Sequence, residues 1–365
     1  MAGVPEATIL EALRSVVDPQ LRSSVVDLGL VDRVETRRSS VRIHLRWPLP
    51  NYPDADQLRG QVEAVVAALP GVRGVDIEVS TMDDEDRRRL AARLRPEGAE
   101  AARPLARSST RVLAVASGKG GVGKSSVTTN LAVALATLGH DVAALDADVW
   151  GFSMPRMLGV RRPPMAIDSL IVPPSAHGVR LISMGFFTGE DQPVIWRGPM
   201  LHKALEQFLT DVYWGEPEYL VVDMPPGTGD VSLSMSQFLP RAEVIVVTTP
   251  QPAAQKVAQR AAYMAQKVNL GIAGVVENMS FFRGDDGKVY ELFGRGGGEL
   301  LSESLGVPLL GQIPLVTALR EGGDDGMPIV VADPDSEASQ VFFAIARGLS
   351  AEVPKRIYRS ELRIG

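Results

Sequence analysis

A glycine-rich loop near the middle of the chain carries the residue types that bind a polyphosphate. Gly118 to Ser125 matches the pattern G-x-x-x-x-G-K-[ST], between an apolar run at 112–116 and apolar residues at helical spacing. Glycines let backbone N–H groups wrap an anion closely, and a helix that begins near Lys124 directs its N-terminal dipole at it. We expect Lys124 to reach the β- and γ-phosphates and the Ser125 hydroxyl to bind Mg²⁺. The predicted nucleotide-binding residues of the loop are Gly118, Lys119, Gly120, Gly121, Val122, Gly123, Lys124, Ser125 and Ser126.

A second element of the predicted site is an aspartate at the end of a strand. An apolar run at 219–222 closes on Asp223, and a loop with Gly227 follows. A carboxylate in this position beside a phosphate-binding loop holds Mg²⁺ directly or through water, so we predict Asp223 as a metal-site residue. A helix cap is the alternative for a strand-ending aspartate. We expect the Gly227 N–H to contact the γ-phosphate, in a loop that is ordered only when ATP is bound.

The composition is typical of a water-soluble globular protein and excludes several kinds of site. The chain has 365 residues, of which 45% are hydrophobic and 22% charged, with a net charge of −6 and no cysteine. Without cysteine there is no disulfide, no thiolate nucleophile and no cysteine-ligated metal, and the four histidines lack zinc-site spacing. The acidic charge disfavours general nucleic-acid binding. No apolar run reaches about 18 residues and the start does not resemble a signal peptide, so we expect a cytoplasmic protein without a membrane partner.

The order of the predicted elements indicates two domains. A small α/β domain is expected over 1–82, a solvated linker rich in charged residues and alanine over 83–109, and a larger domain over 110–365. In the larger domain apolar runs alternate with helical segments, which is typical of a mostly parallel sheet with helices on both faces. The predicted strands lie at 112–116, 141–146, 179–184, 219–224, 243–248, 274–278 and 308–313. Ligands of such sheets bind at the carboxyl ends of the strands, which is where the predicted site falls.

Lys119 narrows the class of nucleotide-binding protein. With it the loop reads K-G-G-x-G-K-S, which resembles the deviant Walker A loop of the P-loop ATPases that include MinD, ParA, the nitrogenase iron protein and ArsA. The resemblance implies a homodimer in which Lys119 reaches the partner's nucleotide. It also implies that Asp148 orients the attacking water, that Asp146 assists the Mg²⁺ shell together with Ser125 and Asp223, and that Asn278 reads adenine. The predicted catalytic residues are Lys119, Lys124 and Asp148, and an ordinary turn asparagine is the alternative for Asn278.

Further motifs resemble one branch of these ATPases, the Mrp/ApbC-type iron–sulfur cluster carriers. They are D-A-D-V-W-G at 146–151, R-G-P-M at 197–200, P-P-G-T-G-D at 225–230, T-P-Q at 249–251, E-N-M-S at 277–280 and F-G-R-G-G-G at 293–298. D-P-Q-L at 18–21 and V-V-D-L-G-L-V at 25–31 are similar to the small N-terminal domain of iron–sulfur assembly proteins. The resemblance implies an ATPase that loads clusters onto apo proteins or works with assembly factors. The glycines at 294–298 either cradle an anion or form an ordinary loop.

The sequence departs from that family at the cluster ligands. The segment at 281–287 has Gly284 and Gly287 where most members carry a C-x-x-C pair, and glycine cannot ligate iron. Asp285 and Asp286 are hard ligands that match a soft cluster poorly. The resemblance therefore extends to the ATPase residues and not to the iron–sulfur cluster ligands. The alternative function is an ATP-switched dimeric binding module of the ParA/MinD type acting on a protein, DNA or membrane partner, although a basic stripe and a terminal amphipathic helix are lacking.

Overall fold

The chain divides into two compact units. The computed structural model describes residues 3–95, 109–149, 151–187, 198–227 and 230–351. The first unit spans 1–108 together with 162–175 and 204–216, and the second spans 109–161, 176–203 and 217–365. The segments 162–175 and 204–216 thus belong with the N-terminal unit, whereas the predicted division of the chain assigns them to the larger domain. The predicted boundaries at 82 and 109 stay predictions. In the part of the chain that is described, no helix is both long enough and apolar enough to cross a bilayer.

The first unit is built on a three-stranded sheet. Its strands are β1 (Val31–Arg37), β2 (Ser40–Trp47) and β3 (Gly74–Thr81), with β1 antiparallel and β3 parallel to β2. Its helices are α1 (Glu6–Leu13), α2 (Ala55–Ala67) and α3 (Asp84–Leu94). The apolar residues of β2, at alternate positions, are buried in a core that α1 and α2 complete with residues at helical spacing.

Part of the predicted linker is helical. Helix α3 follows Asp83, whose side chain accepts a hydrogen bond from the Asp86 N–H (2.8 Å), and it buries Leu90 and Ala91 in the core of the first unit. An antiparallel pair, β6 (Met165–Ile167) and β7 (Leu170–Val172), packs into the same core. The rest of the predicted linker, at 96–108, lies outside the described residues.

The second unit is built on an eight-stranded sheet. Its strands are β4 (Arg111–Ser117), β5 (Val142–Asp146), β8 (Ser175–Ala176), β9 (Val179–Ser183), β10 (Tyr219–Asp223), β11 (Glu243–Thr248), β12 (Gly271–Asn278) and β15 (Leu309–Ile313). Their order is β15-β12-β11-β4-β10-β5-β9-β8, and every pairing from β15 to β9 is parallel. The predicted fold class, α/β with a mostly parallel sheet, is confirmed. A small hairpin, β13 (Phe282–Arg283) and β14 (Val289–Tyr290), stands apart from this sheet.

The helices of the second unit follow the strands in alternation. They are α4 (Lys124–Thr137), α5 (Met154–Met157), α6 (Gly198–Thr210), α7 (Asp230–Phe238), α8 (Pro252–Lys267), α9 (Gly297–Leu305), α10 (Thr317–Asp325), α11 (Ile329–Ala332) and α12 (Glu337–Ala351), with α6 continuing into the first unit. Helix α4 packs on β4, β5 and β10 and also against α12, so nearly its whole surface is buried. Such a helix is held rigidly behind the loop that precedes it.

Parallel pairing places the chemically interesting residues at one edge of this sheet. Asp223 at the end of β10 lies beside Asp146 at the end of β5. Strand β4, next to β10, ends at Ser117, and β12, two strands beyond β4, ends at Asn278. The glycine loop leaves β4 at the same edge, so the predicted site residues converge there.

Candidate functional site

The loop between β4 and α4 has a shape that depends on its glycines. Gly123 has φ of 76°, a left-handed conformation that side chains disfavour, and a Cβ there would collide with the Asn278 side chain. A Cβ on Gly118 would collide with the backbone of Val257 and Ala258 on α8. Around Gly120, by contrast, no atom of the described residues beyond its chain neighbours lies within 4 Å of where a Cβ would stand. The loop is therefore packed tightly on one side and open on the other, as an anion cradle requires.

The N-terminus of α4 faces this loop without a side-chain cap. Its N-cap residue is Gly123, and no side chain among the described residues accepts a hydrogen bond there. The first N–H groups of a helix lack partners within the helix and carry its partial positive charge. An anion such as a phosphate would satisfy them, so the loop and helix fit a polyphosphate.

Lys124 is held in a buried network of carboxylates and hydroxyls. Its side chain is 6% exposed, and its Nζ lies 2.7 Å from Oδ2 of Asp223 and 3.4 Å from Oδ2 of Asp148. The Ser125 hydroxyl donates to Oδ2 of Asp223 (2.5 Å), and the Thr128 hydroxyl donates to Oδ1 (2.7 Å). Sequence reasoning missed Thr128; its signal was the position one helical turn after Lys124 on the same face.

Asp146 lies behind this network and is fully buried. Its Oδ2 accepts hydrogen bonds from the Ser183 hydroxyl (3.0 Å) and from the N–H groups of Ser153 (3.2 Å) and Met154 (3.3 Å). Burial, and after it the nearby Asp223 carboxylate, raise the pKa of the Asp146 carboxyl to about 7. Two adjacent carboxylates with one ammonium favour a proton or a cation between them. Ser183, on the neighbouring strand β9, was also missed by sequence reasoning.

Asp148 and Gly227 flank the network. Oδ1 of Asp148 accepts the Gly151 N–H (3.1 Å), which fixes the carboxylate while Oδ2 faces Lys124. The Gly227 N–H donates to the Ser117 carbonyl (3.1 Å), which joins the loop after β10 to the end of β4. The continuation of the predicted switch loop, at 228–229, lies outside the described residues.

Lys119 and Asn278 lie on the other side of the loop. The Lys119 ammonium approaches Oε1 of Gln251 in the T-P-Q segment at 3.4 Å. Nδ2 of Asn278 donates to the Val122 carbonyl (2.9 Å), while its Oδ1 is buried without a hydrogen-bond partner among the described residues. A buried acceptor left without a partner is unfavourable, so this atom fits a donor on a bound ligand.

The segment that replaces the family's C-x-x-C pair forms the turn of the β13–β14 hairpin. Oδ1 of Asp286 accepts the Lys288 N–H (3.0 Å) and Oδ2 accepts the Tyr290 hydroxyl (2.9 Å). These hydrogen bonds hold the pKa of the Asp286 carboxyl below its ordinary value. Among the described residues, no three His, Cys, Asp or Glu side chains are grouped so that they could hold a metal ion. The hairpin thus offers turn-forming groups rather than cluster ligands.

The glycines at 294–298 lead to a helix N-terminus that binds an anion belonging to the chain itself. The Gly298 N–H, in the first turn of α9, donates to Oε2 of Glu277 (2.5 Å). This contact is internal to the chain, so both interpretations of the glycine segment, a cradle for a bound anion and an ordinary loop, stay predictions. The internal carboxylate fixes the start of α9 against the end of β12.

A parallel sheet, a glycine loop opening an uncapped helix and a strand-ending aspartate together define a P-loop NTPase. The family model described as NUBPL iron-transfer P-loop NTPase matches residues 108–350, and that of the iron-sulfur cluster assembly protein matches 6–79. Over 357 residues the chain is 47% identical to the iron-sulfur cluster carrier protein of Mycobacterium tuberculosis H37Rv, covering 95% of this chain and 94% of the relative. The chain belongs to the iron–sulfur cluster carrier family of P-loop NTPases, which confirms the resemblance found in its motifs.

Solved structures have a similar fold. A nucleotide-binding protein from Archaeoglobus fulgidus, in complex with ADP, is 32% identical with a TM-score of 0.55, covering 64% of this chain and 91% of that one. The cell division ATPase MinD of Pyrococcus furiosus is 24% identical with a TM-score of 0.51, covering 66% of this chain and 98% of that one. The second likeness concerns the fold alone.

Proposed function

We propose that this chain is a Mg²⁺-dependent ATPase that acts as a homodimer in loading iron–sulfur clusters onto apo proteins. The observation that carries the proposal is the buried network of Lys124, Ser125, Asp148 and Asp223 at the uncapped N-terminus of α4. The relative from Mycobacterium tuberculosis is named an iron-sulfur cluster carrier protein, and the relative from Archaeoglobus fulgidus was solved with ADP. These likenesses support the choice of nucleotide and of cargo in the proposal.

The residues of the network divide the work of phosphoryl transfer. Lys124 exchanges its contact with Asp223 for the β- and γ-phosphates, while the N–H groups of the loop and of α4 hold the remaining phosphate oxygens. The Ser125 hydroxyl and Asp223, with Asp146 behind them, would hold Mg²⁺, which would supply positive charge against the phosphates. Asp148 orients the attacking water. Positioning and electrostatic stabilisation suffice for this reaction, so no covalent intermediate is needed.

Lys119 and Asn278 complete the nucleotide site in the proposal. Lys119 lies in the same loop, and among the described residues its ammonium makes one long contact, to Gln251, which leaves it able to reach a nucleotide across a two-fold axis. The orphaned Oδ1 of Asn278 is a suitable acceptor for the amino group of adenine. ATP bound by both protomers would then draw the two copies together.

The cluster is the cargo, and this chain offers no thiolate for it. A chain without cysteine cannot bind an iron–sulfur cluster in the usual way, and Asp286 of the β13–β14 hairpin is already engaged as a turn former. We therefore assign the thiolate ligands to a small thiol or to the acceptor protein. The chain contributes the ATP-dependent step.

Anaerobic reconstitution tests this function. The full chain is incubated with ferrous iron and sulfide, with and without glutathione, then desalted, and iron per chain, ATP turnover and transfer to an apo ferredoxin are measured. We expect ATP turnover, iron retention only with the thiol, and faster maturation of the acceptor when ATP is present. A chain without ATP turnover, or acceptor maturation that ATP does not change, would overturn the proposal.

A further inference from the structure

Strand β12 ends in two adjacent polar side chains that serve different parts of the second unit. Asn278 contacts the phosphate-binding loop through the Val122 carbonyl. Glu277, the residue before it, is 1% exposed and does not contact that loop through any hydrogen bond described here. A buried carboxylate is unfavourable unless several donors hold it, so its place next to Asn278 calls for a physical reason.

The Glu277 carboxylate is held by three uncharged donors from three different elements. Oε2 accepts the Gly298 N–H of α9 (2.5 Å), and Oε1 accepts the Ser280 hydroxyl (2.8 Å) and Nε2 of Gln312 on β15 (3.0 Å). Both oxygens are thus used, and one of them sits on the positive end of a helix. The arrangement joins the turn after β12 to α9 and β15 at once.

The backbone around Glu277 is built for this close approach. A Cβ on Gly298 would lie 2.6 Å from Cβ of Glu277, so only glycine lets the helix come so near. Met279, directly after Asn278, has φ of 57°, an unfavourable left-handed conformation for a residue with a side chain. The Ser280 N–H donates to the Ile313 carbonyl (2.9 Å) and helps to hold this turn. Strain of this kind persists only where the surroundings determine the conformation.

We infer that Glu277 is a positioning residue for base recognition. By clamping the turn 277–280 to α9 and β15, it fixes the Asn278 amide with Nδ2 on the loop and Oδ1 presented as an acceptor. An acceptor held in place favours a base edge that carries an amino donor and repels one that carries a carbonyl. The inference rests on the proposed function in that it assumes a nucleotide on the phosphate-binding loop.

The substitution Glu277→Gln tests this role with little change in volume. Glutamine offers one acceptor and one donor, so either Gly298 or the pair of Ser280 and Gln312 would then face a donor. We expect ATP affinity, measured by titration with fluorescently labelled ATP, to fall about tenfold while GTP affinity, measured by competition, stays within about twofold. The ratio of ATP affinity to GTP affinity should thus fall about tenfold. A merely structural role would lower the melting temperature and leave that ratio unchanged.

Matched variants separate positioning from general destabilisation. Gly298→Ala should lower the ATP to GTP ratio in the same direction, because its Cβ displaces Glu277 without touching a nucleotide. Glu243→Gln removes a carboxylate that pairs with Arg111 (2.6 Å) at the amino ends of β11 and β4 in the same sheet. This variant should leave the ratio of ATP to GTP affinity unchanged. If Glu277→Gln does not fold, Ser280→Ala replaces it, with an expected drop in the ratio of about threefold.

The outcomes separate a failure of this inference from a failure of the proposed function. A wild-type chain that binds neither nucleotide overturns both. A wild-type chain that binds ATP, with folded Glu277→Gln or Ser280→Ala keeping the wild-type ratio, overturns the inference alone. A collapsed ratio in the Glu277 and Gly298 variants but not in Glu243→Gln supports it.

Discussion

Both units of this chain bury an aspartate that several donors converge on, and the donors differ in kind. In the first unit, Asp18 accepts the N–H groups of Gln20 and Leu21 and the Tyr52 hydroxyl, each at 2.8 Å. In the second unit, Asp223 accepts two hydroxyls and lies 2.7 Å from the Lys124 ammonium. The donors of the first cluster are uncharged, whereas those of the second include a cation.

The difference separates a structural cluster from one that can exchange partners. Burial raises the pKa of the Asp18 carboxyl, and two of its donors, the N–H groups of Gln20 and Leu21, belong to the turn that it closes, so no ligand can replace them without unfolding the turn. Lys124 is a cation at the N-terminus of α4 beside the glycine loop, so in the proposed function phosphates compete with Asp223 for it. We therefore expect substitutions in the two clusters to affect different measurements.

Removal of the cation should have the largest effect. Lys124→Ala is expected to lower ATP turnover about a hundred- to a thousandfold, because the β- and γ-phosphates lose their charged partner. Phosphate release measures this, with Lys267→Ala, an exposed lysine at the end of α8, as the control that keeps wild-type turnover. Wild-type turnover in Lys124→Ala would contradict the claim that the cluster around Asp223 differs from the one around Asp18 in holding a cation that binds phosphates.

The buried Asp146 should make the nucleotide cluster sensitive to pH. Because its folded pKa of about 7 lies above the ordinary value of 3.8, the proton it keeps stabilises the folded state below about pH 4, and this contribution is lost as the pH rises through 7. Relative to Asp146→Asn, the wild-type chain should lose on the order of 3 kcal/mol between pH 4 and pH 8. Urea unfolding without nucleotide and with a chelator measures the difference, and a pH-independent difference would contradict the assignment.

Substitutions in the cluster around Asp18 should lower stability and leave ATP turnover unchanged. Asp18→Ala leaves the N–H groups of Gln20 and Leu21 without their acceptor, so the free energy of unfolding should fall by about 2 kcal/mol. Asp18→Asn keeps an oxygen for both groups and should be milder. Urea unfolding and ATP turnover are measured on the same preparations. Lost turnover in a stable Asp18 variant would show that the clusters are not separate in function.

The smallest effect is expected for Lys119, which lies in the same glycine loop as Lys124. Lys119→Ala should keep nucleotide binding but lower turnover by at least about tenfold, since Lys119 is proposed to act on the partner's nucleotide. Sedimentation velocity with ATP should show a weaker dimer than for the wild-type chain. A monomer that hydrolyses ATP at the wild-type rate would refute the crossing lysine.

Local patterns were sufficient to predict much of the nucleotide cluster. The sequence predicts the glycine loop, Lys124, Ser125 and Asp223. Positive φ values, helix N-termini and acids at strand ends are each marked by particular residue types within a few positions of the chain. The structure brings these residues together with Asp146 and Asp148, while their catalytic roles stay predictions. The parallel sheet followed from the alternation of apolar runs and helices.

The sequence by itself determined the α/β class, the phosphate-binding loop and the absence of thiolate ligands, because these depend on composition and short-range pattern. Only the tertiary structure decided that Thr128 and Ser183 hold Asp223 and Asp146, and that Glu277 meets the N-terminus of α9. It also placed 162–175 and 204–216 with the N-terminal unit. Each of these depends on which strands and helices become neighbours, and such contacts between distant residues leave no periodicity in a single sequence.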